Sequence, residues 1–274
     1  MSLPLPASLS PTKVSAFKDC ALAFRLSNID RLPEQPSEPA AKGTAVHRAM
    51  QLLFWEEPPA ARTLDTALAK LERAIPEVLG GEEYGSLALT GPALEEFTAD
   101  ARQLVANYFV LEDPTTITVI GTELRLSARV GTLRMSGIID RLELGADGSL
   151  VVTDYKTGRA PTERREQARL VGIHFYAFLC EQALGRRPAR IQLLHLREPM
   201  SISTVPTEQS LRGLQQQTLA VWEAVERACE HEDFRPRRGP ACSWCGYHQY
   251  CPAVGGDLAL LPELTLAPGG LPSS

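Results

Sequence analysis

GIIDRLEL at residues 137–144 and VVTDYKTG at residues 151–158 decide how this chain is read. Both stretches are rich in the β-branched and aliphatic residues that suit a pleated surface, and GADG at residues 145–148 is a hairpin turn signal between them. Each strand carries an aspartate in an otherwise apolar run, Asp140 in the first and Asp154 in the second. A hairpin sets these carboxylates side by side. Because side chains two apart share a face of a strand, Asp154 and Lys156 project together. Two adjacent carboxylates repel unless a cation lies between them, and hard oxygen ligands select Mg2+ or Mn2+. Such an ion polarises a phosphodiester and acidifies water, while a neighbouring lysine steadies the negative charge that builds at phosphorus. Taken alone, Asp-x-Lys also describes an ordinary ion pair at a strand end.

Working outward, residues 116–126 form a further β-rich run, so 116–126, 133–144 and 149–155 read as a meander. Before it the periodicity is helical: a short stretch over residues 12–24, then helices near 41–55, 64–79 and 92–110. After it come a helix over 162–184, strands at 189–196 and 202–205, and a long amphipathic helix over 207–232. This order predicts an α/β fold in which one central mixed sheet is flanked by helices. No internal repeat or coiled-coil heptad interrupts it. Residues 1–252 read as one domain and residues 253–274, rich in Gly, Pro, Leu and Ser, as a disordered tail.

The chain has 274 residues, 44% of them hydrophobic, which is enough for a sizeable core. With no basic and apolar leader at its start and no membrane-length apolar run, the expected location is the cytoplasm. Six cysteines there point to metal more than to disulfides. The net charge of -5 advertises no nucleic-acid binding, so any basic surface must be local. Between Lys156 and Arg190 there are eight Lys/Arg against three Glu, and Arg164, Arg165 and Arg169 lie just beyond the Asp154–Lys156 pair. They are either a solvated helix face or a phosphate-binding one.

These motifs together resemble the core of the PD-(D/E)XK nuclease superfamily, in its RecB-like branch, which includes CRISPR-associated RecB-like exonucleases. GTAVHRAM at residues 43–50 is similar to the helical motif that precedes that core. The resemblance implies a restriction-endonuclease-like core, with Asp140 and Asp154 as metal ligands alongside His47 and the Tyr155 backbone carbonyl, and Lys156 as the catalytic lysine. It implies a Mg2+- or Mn2+-dependent DNA exonuclease acting at single-stranded ends in repair, recombination or CRISPR adaptation, with a helicase or adaptation partner supplied in trans. No phosphate-binding Gly-x4-Gly-Lys-Ser/Thr occurs, so a motor must come from elsewhere. By spacing alone, His47 lies on a helical stripe with Gly43, Met50 and Phe54, where a satisfied core histidine is the alternative. In one place the pattern departs: relatives carry a Gln four residues before a Tyr, and here Tyr176 is kept while Gly172 replaces the Gln. That feature supports a second reading, a DNA-binding structural partner of a helicase–nuclease complex whose own nuclease site has weakened.

Cys242, Cys245 and Cys251 form a Cys-x2-Cys-x5-Cys cluster followed by Pro252. SAFKDCALAF around Cys20 resembles the N-terminal cysteine segment of iron–sulfur RecB-like nucleases, which implies Cys20 as the fourth ligand of a 4Fe-4S cluster. Zn2+ is the alternative for a four-thiolate set. Cys180 and Cys229 read as buried small hydrophobes.

Overall fold

The computed structural model describes residues 2–159 and 163–262, and within them the side chains of 163–171 and of 241 are not described. The described chain divides into two compact units, residues 36–217 and residues 2–35 with 218–262.

The larger unit is built on a five-stranded sheet in the order β1-β2-β3-β4-β5. Its strands are β1 (Val119–Val130), β2 (Leu133–Leu144), β3 (Leu150–Lys156), β4 (Arg190–His195) and β5 (Met200–Thr204). The first three form the expected antiparallel meander, β3 and β4 are parallel, and β5 returns antiparallel. Parallel strands need a crossover connection, and the helix Glu163–Leu184 supplies it. The fold class is therefore the mixed, helix-flanked sheet anticipated from sequence.

Three helices cover one face: Glu38–Glu56, Leu64–Leu79 and Gly91–Leu111. In chain order, counting the two short helices of the smaller unit, these are α3, α4 and α5, and the crossover is α6. The Ser37 side chain accepts from the Ala40 N–H and starts α3; Thr63 does the same for α4 through Thr66. Val46, Met50, Leu53, Leu71, Phe97, Leu104 and Tyr108 from these helices pack with Tyr155, Leu194 and Leu196 of the sheet side into one core. A side chain on Gly137 would press a Cβ to 3.0 Å from Leu179 and 3.3 Å from Tyr176, so this glycine lets α6 settle directly on β2.

The strand expected over 116–126 starts later and runs further. Pro114–Thr116 is a 3-10 turn, and β1 continues to Val130, joined to β2 through Gly131 and Thr132. Ser127, Ala128 and Arg129 are weak strand formers, and their pairing with Ser136, Met135 and Arg134 overrides that propensity.

In the smaller unit the stretch expected over 12–24 is two helices, α1 (Pro11–Asp19) and α2 (Ala21–Asn28), because Cys20 is extended (φ -160°, ψ 109°) and breaks them. The long last helix, α7 (Glu208–His231), contains the division between the units. Part of the expected tail is folded: Pro252–Val254 and Leu258–Leu260 are 3-10 turns, and the Asp257 N–H donates to Gln249 O at 2.9 Å. Residues 263–274 lie outside the described residues. No helix among those described is long and apolar enough to cross a membrane.

Candidate functional site

The register of the meander brings the acids together. Arg141 pairs with Thr153, which places Asp140 opposite Asp154 at the next position, where the β2–β3 ladder has ended. On the other side, Thr122 pairs with Arg141 and Leu124 with Ile139, so Glu123 falls opposite Asp140. Three carboxylates thus stand in a row across three strands. The Tyr155 N–H, freed from the ladder, donates to Asp140 Oδ2 at 2.7 Å.

His47 reaches the row from α3. Its Nδ1 is 3.5 Å from Asp140 Oδ2 and 3.9 Å from Glu123 Oε1, and its Nε2 donates to the Tyr155 carbonyl at 3.1 Å. Ligand atoms of His47, Glu123 and Asp140 all lie within 4.8 Å of one another. Asp154 lies beyond that group and is buried, ion-paired to Lys156, with Tyr176 close enough for its hydroxyl to feel the carboxylate's charge. Lys156 keeps 39% of its side chain exposed, so its ammonium can meet something arriving from solvent. Close helix approach makes this possible: a Cβ on Gly43 would lie 3.0 Å from Thr157 Oγ1, one residue beyond Lys156.

The electrostatics are those of a site short of positive charge. Burial, then the neighbouring Asp140, holds Glu123 above the ordinary carboxylate range. Burial also raises Asp154, against the pull of Lys156 and with the push of Asp140. For His47, burial alone would favour the neutral ring, but Asp140, Asp154 and Glu123 outweigh it and raise its pKa. Burial would raise Asp140 too, yet the facing His47 and the Tyr155 N–H bring it below its usual value. The negative field of Asp140, Asp154 and Glu123 around His47 thus favours positive charge at this point. Carboxylate, imidazole and carbonyl donors so arranged fit Mg2+ or Mn2+.

Glu123 is the residue that sequence reading missed. It was discoverable: once the hairpin turn is placed at Gly131 and Thr132, register sets Glu123 against Asp140. Its backbone is left-handed at φ 48°, a region costly for a non-glycine residue, and such strain gathers at functional sites.

Behind the row, on the opposite face of the sheet, Arg141 is wholly buried. Its guanidinium donates to Glu112 (2.6 Å), Glu143 (2.9 Å), Tyr108 Oη (3.0 Å), Tyr155 Oη (2.8 Å) and Thr153 Oγ1 (3.3 Å). It also stacks near the Phe54 ring at 4.6 Å. Tyr155 is thus gripped through its ring from behind while its backbone holds Asp140 and His47 in front.

Among the other residues singled out, Tyr176 joins the site, and Gly172 lies on α6 with open space where a Cβ would project. The side chains of Arg164, Arg165 and Arg169 lie outside those described. Cys180 and Cys229 are buried. In the smaller unit, Cys20, Cys242, Cys245 and Cys251 are all free and half-buried. Burial raises the Cys245 thiol, and the charges of Cys20, Cys242 and Cys251 act on it in the same direction, so the four sulfurs are neighbours. Backbone N–H groups donate to two of them: Arg237 to Cys20 (3.4 Å) and Gly239 to Cys242 (3.4 Å). Such N–H···S contacts favour thiolates, the form that binds metal.

A family model described as the PD-(D/E)XK nuclease superfamily matches residues 8–252. None of the curated proteins matches the chain. Among solved structures, a candidate exonuclease from Eubacterium rectale is similar in fold, with a TM-score of 0.56 and 12% identity over 87% of this chain and 86% of that one. The crystal structure of SSO0001 aligns over 88% of this chain and 95% of its own, at 14% identity and a TM-score of 0.36, too low to support an argument.

Proposed function

The chain belongs to the PD-(D/E)XK nuclease superfamily, and from that premise we propose that it is a Mg2+- or Mn2+-dependent deoxyribonuclease that trims DNA from single-stranded ends. The observation that carries the reading is the convergence of His47, Glu123 and Asp140 beside the Asp154–Lys156 pair. A divalent cation held by Glu123, Asp140, His47 and the Tyr155 carbonyl, with Asp154 alongside, would supply Lewis acidity at the scissile phosphate. The protein does the remaining work. Lys156, half-exposed on the same face as Asp154, places an ammonium against charge developing on the phosphate. Lys156 fixes the Asp154 carboxylate, and the Tyr155 N–H fixes that of Asp140, so neither has to reorganise during the reaction.

The four-cysteine set fits a 4Fe-4S cluster in the smaller unit. One isolated and three grouped cysteines suit such a cluster better than the two close pairs of a zinc ribbon, and Zn2+ is the alternative. A role in repair, recombination or CRISPR adaptation, with a helicase or adaptation partner in trans, accords with a nuclease core that carries no motor motif. The alternative of a DNA-binding structural partner with a weakened site draws on Gly172. The intact acid row favours the enzyme, since a binding module has no use for three converging carboxylates.

The test is digestion of oligonucleotides labelled at either end, with Mg2+, with Mn2+ and with neither. The parent should shorten DNA only with metal, and Asp154→Asn should be slower by about a hundredfold or more. Equal rates for parent and variant would show that the chemistry lies elsewhere.

A further inference from the structure

The β1–β2 hairpin beyond the acids carries a second kind of surface. Residues 124–139 contain three arginines and no acid, in a chain whose net charge is -5. Arg125, Ser127 and Arg129 alternate along one face of β1, and the register adds Ser136 opposite Ser127 and Arg134 opposite Arg129. Arg134 Nη2 lies 3.5 Å from Ser127 Oγ, which places both on that face. All three arginines are exposed. The opposite face is apolar and covered: Leu126, Leu133 and Met135 are buried, and Gly137 abuts Leu179 and Tyr176 of α6. The hairpin is therefore anchored on one side and cationic on the other.

An idle solvated face does not account for this pattern. Like charges directly opposite across an antiparallel pair destabilise it, and Arg129 faces Arg134. Among the described residues no ion pair joins Arg125, Arg129 or Arg134 to a carboxylate. The strip also begins next to the candidate site, since Arg125 is two residues along β1 from Glu123. Four residues of strand separate Arg125 from Arg129, about 14 Å at ~3.4 Å per residue. That matches roughly four nucleotides of a stacked strand at ~3.4 Å each.

We propose that the exposed face of the β1–β2 hairpin is a track for the phosphodiester backbone of the strand being cut, engaged by Arg125, Arg129 and Arg134 and leading to Glu123 and Asp140. This rests on the nuclease reading and adds to it the path of the substrate. Guanidinium groups on a regular strand contact phosphates and leave the base edges unread, so binding along the track is indifferent to sequence.

The experiment compares the full chain with Arg125→Gln/Arg129→Gln/Arg134→Gln and with the corresponding triple lysine variant. Binding of a fluorescein-labelled oligothymidylate is measured across a salt series in Ca2+, and hydrolysis in Mg2+. With about 0.7 unit of logarithmic salt slope per phosphate contact on a single strand, the glutamine variant should lose about two units of slope, and the lysine variant should keep them. The glutamine variant's kcat/KM should fall at least tenfold, with the loss residing in KM. If the parent cleaves but the glutamine variant keeps the parental slope and KM, the track is refuted while the nuclease reading stands. If the parent binds with a slope the glutamine variant loses, yet cleaves nothing, the track stands and the nuclease reading falls. Polyglutamate displacing the oligonucleotide at equal charge concentration would overturn the track in favour of an acidic protein partner.

Discussion

Replacing Arg141 by methionine keeps the volume and removes the charge from a site with no access to water. The guanidinium is wholly buried and satisfies two carboxylates, Glu112 at 2.6 Å and Glu143 at 2.8 Å, together with the hydroxyls of Tyr108 and Tyr155. Breaking a buried ion pair from one side costs about 3–5 kcal/mol, because the surviving charge is left uncompensated. Here Glu112 and Glu143 retain 15% and 11% of their side-chain exposure, and Thr153 and Gln192 still donate to them, so the lower end applies. Arg141→Met should therefore be destabilised by about 3 kcal/mol, which at an m value of about 3 kcal/mol/M moves the urea midpoint down by about 1 M. The double variant with Glu143→Gln should be more stable than the sum of the singles predicts, by at least about 1 kcal/mol, since it removes one orphaned charge. The measurement is urea unfolding followed by tyrosine fluorescence and by circular dichroism. A midpoint shift equivalent to less than 1 kcal/mol, or strict additivity with Glu143→Gln, would refute the account of a charge network buried behind the acids.

Two further outcomes follow from other contacts. Gly43→Ala gains up to about 1 kcal/mol of helix propensity, yet its Cβ would stand 3.0 Å from Thr157 Oγ1 and push α3 off the end of β3, so kcat should drop by about tenfold with the melting temperature held or raised; an unchanged kcat would disprove it. Protein purified without oxygen should be brown and hold iron and sulfide in near-equal amounts, and Cys20→Ala should lose both, along with up to about 5 kcal/mol of stability by the loop-closure argument, whereas zinc in the parent would overturn the cluster.

Much of this architecture could be read from residues 137–158, and the reason is arithmetic. Antiparallel hairpins fix register through their turns: GADG at 145–148 locates the turn, and one further residue, Ser149, closes it with Leu144 against Leu150, which sets Asp140 against Asp154. The same arithmetic failed for Glu123 because Ser127, Ala128 and Arg129 hid the far half of β1, and an unseen strand end hides the turn that sets its register. Arg141 was invisible for a different reason. An arginine beside a polar aspartate looks exposed in sequence, and only the packing of α3 and α5 shows that Phe54, Tyr108 and Glu112 enclose it. The break at Cys20 had no strong local signal either, since neither Gly nor Pro falls within Ala-Phe-Lys-Asp-Cys-Ala-Leu.

The left-handed backbone of Glu123 sets two selections against each other at one position. Glycine there would relieve a conformation costing an ordinary residue about 1–2 kcal/mol, and it would also delete a carboxylate from the row. On the proposed function, a library sorted only by heat resistance will enrich glycine at this site and discard the carboxylate, while one sorted by turnover will keep the strained glutamate. The position is a marker for which pressure a lineage has been under, legible in a single residue.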